Sequence, residues 1–327
     1  MLDEKAIKKL EKQKYRVVGK NKHSTVKTCG WTRSALNGQG SCYKGKFYGI
    51  QSHQCLQMTP SMSCANRCIF CWRDYKAPVS REWKWKTDSP EEIFEEALKA
   101  HHKLLIGFKN NKKTNKTAYR FSKYVKHVAL SLSGEPIIYP KINELINLFH
   151  KNKISTFLVT NGQHPEAIKN LAPVTQLYLS LDAPTKLLLK KIDVPLFNDY
   201  WERLNKSLEY LSKKKHRTCI RLTLIKDYNM SNDLINKYAE LILKGSPDFI
   251  EVKSYMHVGA SQERLERENM PLHEEIVEFS KKLVKHLNGY GIASEHIPSR
   301  VVLIAKNKYK NKNNKWDTLI DFRGLFE

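Results

Sequence analysis

From about residue 56 the chain alternates short β-rich runs with amphipathic stretches, and that order constrains the fold more than any other feature. The β-like runs are 55–61, 127–133, 154–160, 176–182, 219–225 and 248–255. Between and after them come helical candidates at 89–106, 140–152, 165–171, 199–215, 231–244 and 271–289. A repeated strand-helix order implies an α/β protein with a parallel sheet and helices outside it. Six units predict a partial (β/α)6 barrel of the TIM type as much as an open sheet. In either arrangement, functional groups collect at the carboxyl ends of the strands and in the loops after them.

Local signals support these boundaries. Ser89 precedes Pro90 and two glutamates, a helix-start pattern, and Asp199 opens a stretch whose Trp201, Leu204, Leu208 and Leu211 share one face. The tail VVLIAKNKYKNKNNKWDTLIDF reads as two strands around a polar loop, which predicts a C-terminal hairpin at a sheet edge. Three parts follow: a basic N-terminal extension (1–55), a core barrel (56–300) and a C-terminal β extension (301–327). No run of about eighteen apolar residues occurs, and the start MLDEKAIKKLEKQKYR is basic and amphipathic without the apolar core of a signal peptide. The expectation is a soluble, cytoplasmic monomer with no membrane contact.

Charge points to a polyanionic partner. Lys and Arg number 57 against 33 Asp and Glu, a net +24. The basic residues gather in 1–30, 108–127, 213–217 and 306–315, with Tyr15, Phe121, Tyr124 and Tyr309 among them. Nucleic acid fits this pattern, because phosphate neutralisation needs many lysines and little order among them. A lysine-rich surface without a partner is the bland alternative.

Six of the seven cysteines lie between Cys29 and Cys71. In a chain expected to meet a reducing compartment, such clustering points to metal or redox work and away from disulfides. Cys219, inside the alternating CIRLTLI, reads as a buried structural thiol. Cys64, Cys68 and Cys71 stand in SMSCANRCIFCWRD with spacing C-x3-C-x2-C. Three thiolates on a tight loop suit an iron-sulfur cluster with one iron lacking a protein ligand, whereas structural zinc favours paired C-x2-C units and four ligands. Cys29, Cys42 and Cys55 recur at near-equal spacing and define a second set of three.

At these residues the sequence resembles the radical S-adenosylmethionine superfamily, whose hallmark is C-x3-C-x2-C after a first strand with an aromatic residue, here Phe70, before the last cysteine. The resemblance implies a [4Fe-4S] cluster on Cys64, Cys68 and Cys71. Its free iron is chelated by S-adenosylmethionine, which one electron cleaves to a 5′-deoxyadenosyl radical. It also implies S-adenosylmethionine contacts at Gly134 and Glu135 for the amino group. Thr160, Asn161, Ser180 and Asp182 match where ribose hydroxyls and the carboxylate are held.

The stretches GWTRSALNGQGSCYKGKFYGIQSHQC, LSLSGEP, FLVTNGQHPEAI, LYLSLDAP and EVKSYMHVGAS further resemble the tRNA-modifying family that forms the tricyclic wyosine base. The resemblance spans roughly residues 25–300. It implies a second [4Fe-4S] cluster on Cys29, Cys42 and Cys55, and condensation of pyruvate with N1-methylguanosine at position 37 of tRNA(Phe). The short N-terminus resembles the archaeal form, which implies an external electron donor of flavodoxin or ferredoxin type. The second open iron would chelate pyruvate, or a lysine would hold it as a Schiff base. Lys44 is favoured, with Lys46 and Lys253 as the other candidates. Trp72, Trp83 and Trp85 are candidates for base stacking or for core filling, and the lysine-rich segments for holding the tRNA backbone. The rival readings are another radical enzyme acting on a peptide or small molecule, and a zinc-stabilised RNA-binding protein.

Overall fold

The computed structural model describes residues 2–74 and 77–326. Residues 75 and 76, just after the quoted cysteine stretch, lie outside the described residues. Helix α1 (Glu4–Lys12) leads into a hairpin of β1 (Tyr15–Val18) and β2 (Ser24–Lys27). Two short helices follow, α2 (Gly30–Leu36) and α3 (Tyr43–Tyr48). The repeat then begins: β3 (Cys55–Thr59), α4 (Pro90–Leu105), α5 (Lys116–Ser122), β4 (His127–Leu130), α6 (Ile142–Lys151), β5 (Ser155–Thr160), α7 (Pro165–Lys169) and β6 (Gln176–Ser180). It continues through α8 (Lys186–Asp193), α9 (Tyr200–Ser212), β7 (Arg217–Leu224), α10 (Ile235–Gly245), β8 (Phe249–Ser254) and α11 (His273–Val284), ending in β9 (Tyr290–His296) and β10 (Val301–Lys306).

All six β-runs read from the sequence are strands, and β3 to β8 pair in parallel in chain order. The sheet has ten strands in the order β1-β2-β3-β4-β5-β6-β7-β8-β10-β9. Alternate residues along each strand serve two cores, as the two-residue period of a strand requires. Leu177 and Leu179 of β6, or Ile250 and Val252 of β8, join a large core with the helices. Tyr178, Cys219, Phe249, Val301, Leu303 and Ala305 face the other side, where they meet Tyr43, Phe47 and Tyr48 of α3. Strands from β5 to β10 thus curl around α3, and the result is a partial barrel with a helical plug. Trp31 of α2 packs edge-on against His296 at the end of β9, while the backbone N–H of Asn115, just before α5, donates to Leu36 O. The N-terminal helices therefore reach across the open side of the sheet.

Helix starts follow the local chemistry. Ser89 Oγ accepts from the Glu92 N–H at 3.2 Å and Pro90 occupies the first turn of α4. On α9, Tyr200, Leu204, Leu208 and Leu211 form the buried face, while Trp201 is only half-buried. Each fully buried leucine of this kind contributes about 2 kcal/mol of transfer free energy.

The C-terminal hairpin exists at the sheet edge but is displaced from its expected place. Its strands are β9 and β10, and the run WDTLIDF is not a strand. The reason is packing: Trp316, Ile320 and Phe322 lie against the inner core, and Thr318 Oγ1 donates to Phe47 O at 2.7 Å. Arg217 donates to Thr318 O at 2.8 Å, so the tail closes the end of the barrel where the parallel strands begin. Cys219 is fully buried within the same core.

Candidate active site

The C-x3-C-x2-C loop leaves the carboxyl end of β3 and is held by its backbone. The Arg67 and Ile69 N–H groups donate to Asp193 O and Ile192 O at 2.9 Å each, and the Leu196 N–H donates to Ala65 O at 2.8 Å. The Arg73 guanidinium donates to Met62 O at 3.0 Å and to Pro78 O at 3.2 Å, tying both flanks together. Arg264 reaches in from beyond β8 to Ile69 O at 2.9 Å and to Cys71 O. Burial pushes the Cys64 thiol up to about 12 and Cys68 well above its usual value, and the neighbouring cysteines add to both shifts. Thiols raised in this way need a cationic centre nearby to ionise them.

The Gly134-Glu135 turn lies directly against this loop. Gly134 has φ +70°, and a Cβ there would stand 2.1 Å from Ser61 O, so only glycine fits. The Glu135 N–H donates to Ser63 O at 2.6 Å and Glu135 Oε2 accepts from the Asn161 N–H at 2.9 Å. Among the described residues, Glu135 Oε1 is buried without a hydrogen-bond partner, and burial raises the carboxyl to about 7. An ammonium group arriving there would supply the missing donor and restore the charged form. Asn161 Nδ2 donates to Cys64 Sγ at 3.4 Å, whereas Thr160 Oγ1 accepts from the Gly162 N–H and shapes the turn. Ser180 ends β6, and Asp182 beyond it has a buried Oδ1 without a partner and a carboxyl raised to about 6, first by burial.

Sequence reading missed the strap on the far side of the loop. Asp193 is buried, accepts from Asn66 Nδ2 at 3.2 Å and is raised well above the carboxylate range by burial and then by Asp182. Asp193 and Arg264 carried no spacing signal, because their partners lie far away in sequence, and Arg73 acts through backbone carbonyls of its own loop, which leave no mark on residue type.

The second triad forms inside the barrel. Cys29 and Cys42 occupy the residues just before α2 and α3, and Cys55 opens β3. Neither Cys29 nor Cys42 caps its helix through the thiol. Burial pushes Cys42 and Cys55 up to about 12; Cys29 adds to both shifts and Lys44 opposes both, so the four groups are neighbours. Among the described residues, no three Cys, His, Asp or Glu side chains are already gathered as a single-ion site. Ligands about a lone zinc lie only about 3.8 Å apart at Zn–S distances of about 2.3 Å, whereas a cube of four irons spreads its thiolates wider.

Helix α3 is keyed into the barrel by a buried carboxylate. Tyr43 OH donates to Glu251 Oε2 at 2.9 Å and Tyr48 OH to Glu251 Oε1 at 3.0 Å, with Glu251 fully buried on β8. Between these tyrosines, Lys44 projects its amine over the rings of Tyr178, at 4.4 Å from the centroid, and Phe157, at 5.3 Å. Lys253 donates to Ser299 O at 3.1 Å, and burial, then Arg221, brings its amine down to about 8. The fold thus brings Lys44 and Lys253 to the interior and leaves Lys46 exposed near His296.

The aromatic and basic candidates divide by position. Trp83 is half-buried against Tyr139, His23 and Trp85, which is core filling. Trp72 stacks on Tyr15 at 6.1 Å near the cluster loop, with the Lys27 amine 4.3 Å from the Tyr15 centroid and 5.0 Å from that of Trp72. The segments 108–127, 213–217 and 306–315 run into His127, Arg217 and out of Lys306, at the end of the barrel opposite the C-x3-C-x2-C loop. Of the four lysine-rich segments, these three therefore lie away from the loop, while 1–30 brings Lys27 beside it.

A parallel, partly closed barrel with a three-cysteine loop after its first parallel strand and a desolvated glutamate beside it defines a radical S-adenosylmethionine protein. Residues 112–237 match that superfamily, which implies a [4Fe-4S] cluster and S-adenosylmethionine, and residues 244–306 match the family described as wyosine base formation. The S-adenosyl-L-methionine-dependent tRNA 4-demethylwyosine synthase TYW1 of Xenopus laevis is 50% identical over 319 residues, 97% of this chain and 43% of the relative. Its counterpart in Schizosaccharomyces pombe is 48% identical over 329 residues, 98% and 47% of the two chains. A structure of TYW1 with a lysine-pyruvate adduct bound matches with a TM-score of 0.84 at 39% identity, covering 98% of this chain and 100% of that one. Archaeal TYW1 matches at 0.76 and 36%, with the same coverage. The chain belongs to the tRNA 4-demethylwyosine synthase family. It spans less than half the length of these two curated relatives. Among the described residues, no helix is long and apolar enough to cross a membrane.

Proposed function

We propose that this chain condenses pyruvate with N1-methylguanosine at position 37 of tRNA(Phe), closing the imidazopurine ring of 4-demethylwyosine, as a cytoplasmic monomer supplied with electrons by a separate flavodoxin- or ferredoxin-type donor. The observation that carries the reading is the Lys44 amine, two residues after Cys42, standing over Tyr178 inside the barrel. The 39%-identical relative whose structure holds a lysine-pyruvate adduct supports it.

In this reading Lys44 condenses with the C2 carbonyl of pyruvate, losing water, and so fixes the keto acid in one orientation. Lys253, with its amine brought down to about 8, is the proton carrier for that step near neutral pH. A [4Fe-4S] cluster on Cys64, Cys68 and Cys71, with S-adenosylmethionine, would supply the radical that takes a hydrogen from the N1-methyl group. Glu135 Oε1 holds the methionine amino group, and Ser180 and Asp182 face the ribose. Cys29, Cys42 and Cys55 hold a second cluster beside Lys44. The methyl carbon, as a radical, then bonds to C2 of the Lys44 imine, and the carboxylate leaves as CO2 with one electron passing to the oxidised form of the electron donor. The exocyclic amine displaces the Lys44 amine from the remaining imine and closes the ring with loss of a proton. The guanosine must leave its stack to enter the barrel mouth, where Trp72 and Lys27 form an aromatic and cationic rim.

The test is anaerobic incubation of the cluster-loaded protein with reductant, S-adenosylmethionine, pyruvate and tRNA bearing N1-methylguanosine, followed by nucleoside mass analysis. A mass matching the tricyclic base is expected. Unchanged N1-methylguanosine under conditions that cleave S-adenosylmethionine overturns the reading.

A further inference from the structure

Arg221 is a charged group of the barrel interior whose chemistry the proposed reaction has not used. It lies on β7 with its side chain on the inner face, two residues from the buried Cys219. Its Cζ is 6.0 Å from the centroid of Tyr178, the same ring over which Lys44 places its amine at 4.4 Å. The two cations therefore lie within about 10 Å of each other. Glu251 is close enough to act on Arg221 electrostatically, yet both of its oxygens accept from Tyr43 and Tyr48. Among the described residues, the Arg221 guanidinium has neither a hydrogen-bond acceptor nor an ion-pair partner. Part of the residue still presents surface to the interior space.

An enclosed guanidinium without a partner is costly, and its planar fork of donors matches a carboxylate better than any other common anion of this size. An imine between Lys44 and a 2-oxo acid puts the carboxylate carbon two bonds from the lysine nitrogen. With hydrogen bonds of about 2.8 Å to the guanidinium, the span from Nζ to Cζ is roughly 6–7 Å. That length fits inside the 10 Å limit.

We propose that Arg221 is the carboxylate receptor of this site: it binds the carboxylate of the 2-oxo acid whose carbonyl condenses with Lys44. The inference rests on the Schiff-base reading and adds to it the group that selects an acid over a simple ketone or aldehyde. It also assigns the carboxylate to a protein side chain and leaves the second cysteine triad free of that task.

The experiment is borohydride trapping on anaerobically purified, cluster-loaded protein, read by intact mass as a function of ligand concentration. Pyruvate and methyl pyruvate, in which the carboxylate is masked, are compared in the natural protein and in Arg221→Met and Arg221→Lys. In the natural protein, half-saturation with pyruvate should fall at least tenfold below that with methyl pyruvate. Arg221→Met should raise the pyruvate value roughly 30- to 100-fold and erase the preference, with Arg221→Lys between, while adduct at saturation persists. An adduct whose half-saturation does not depend on residue 221, or a natural protein that takes both ligands equally, overturns the assignment. The second of these outcomes needs no variant to fold. Failure of the natural protein to form any adduct with either ligand overturns the Schiff-base reading beneath it, a result distinct from the others.

Discussion

Replacing Gly134 by alanine tests how tightly the glutamate turn is fitted to the cysteine loop. The added Cβ would lie 2.1 Å from Ser61 O, 2.6 Å from Met62 C and 2.9 Å from Met62 Cα, all backbone atoms. Ordinary contact begins near 3.4 Å, so one segment must move by more than about 1 Å. The loop resists, because Met62 N donates to His23 O at 3.0 Å, Arg73 holds Met62 O and Glu135 N holds Ser63 O. The left-handed backbone conformation costs roughly 1–2 kcal/mol and the overpacking about 1–3 kcal/mol more. A loss of roughly 2–5 kcal/mol lowers Tm by about 3–7 °C in a chain of this size. Because Glu135 moves with the turn, affinity for S-adenosylmethionine should fall at least tenfold, measured by calorimetry on protein whose iron content is checked in parallel. An alanine variant with unchanged Tm and unchanged affinity would refute the placement of this turn. A destabilised variant that keeps its affinity would refute the role of Glu135 as acceptor for the amino group.

Other consequences are open to simpler measurements. Tyr48→Phe removes a hydrogen bond to the buried Glu251 and should cost about 1.5–3 kcal/mol in chemical unfolding; no change would mean that the carboxylate does not key α3. His101 is fully buried on α4 with neither ring nitrogen partnered, and burial lowers it to about 4. Its folded value lies below the unfolded 6.5, so it contributes stability that is complete above pH 6.5 and is lost as pH falls toward 4, up to about 3 kcal/mol. His101→Leu should flatten that acid limb, and an unaltered pH profile would exclude His101 as its source. Binding to tRNA should weaken at least tenfold between 50 and 200 mM salt by filter binding, and a flat response would argue against phosphate neutralisation by the basic chain.

Strand order and the C-x3-C-x2-C loop were legible because each is written locally. Two-residue apolar alternation identifies a strand wherever it lies, and C-x3-C-x2-C holds its three ligands within one loop. Helix starts such as Ser89-Pro90 are equally local. The tail was misread for the same reason: WDTLIDF has the composition of a strand, but Trp316 and Phe322 are spent on the inner core and no neighbouring edge remains for it. The lysine-rich runs divide between the two ends of the barrel, which the sequence did not show, since charge along the chain says nothing of which end a loop occupies.

The sequence by itself determined the parallel α/β architecture, the six candidate cysteines and the identity of the glycine-glutamate turn. Only the tertiary structure decided that α3 fills the barrel, that Lys44 points inward while Lys46 points out, and that Glu251, taken up by two tyrosines, leaves Arg221 without a hydrogen-bond or ion-pair partner among the described residues. Lys44 and Lys46 differ by two positions on a short helix, and two residues turn a helix by about 200°, so which one enters the site depends on where that helix is packed. Arg221 gains its meaning from residues 43, 178 and 251, which no local pattern joins.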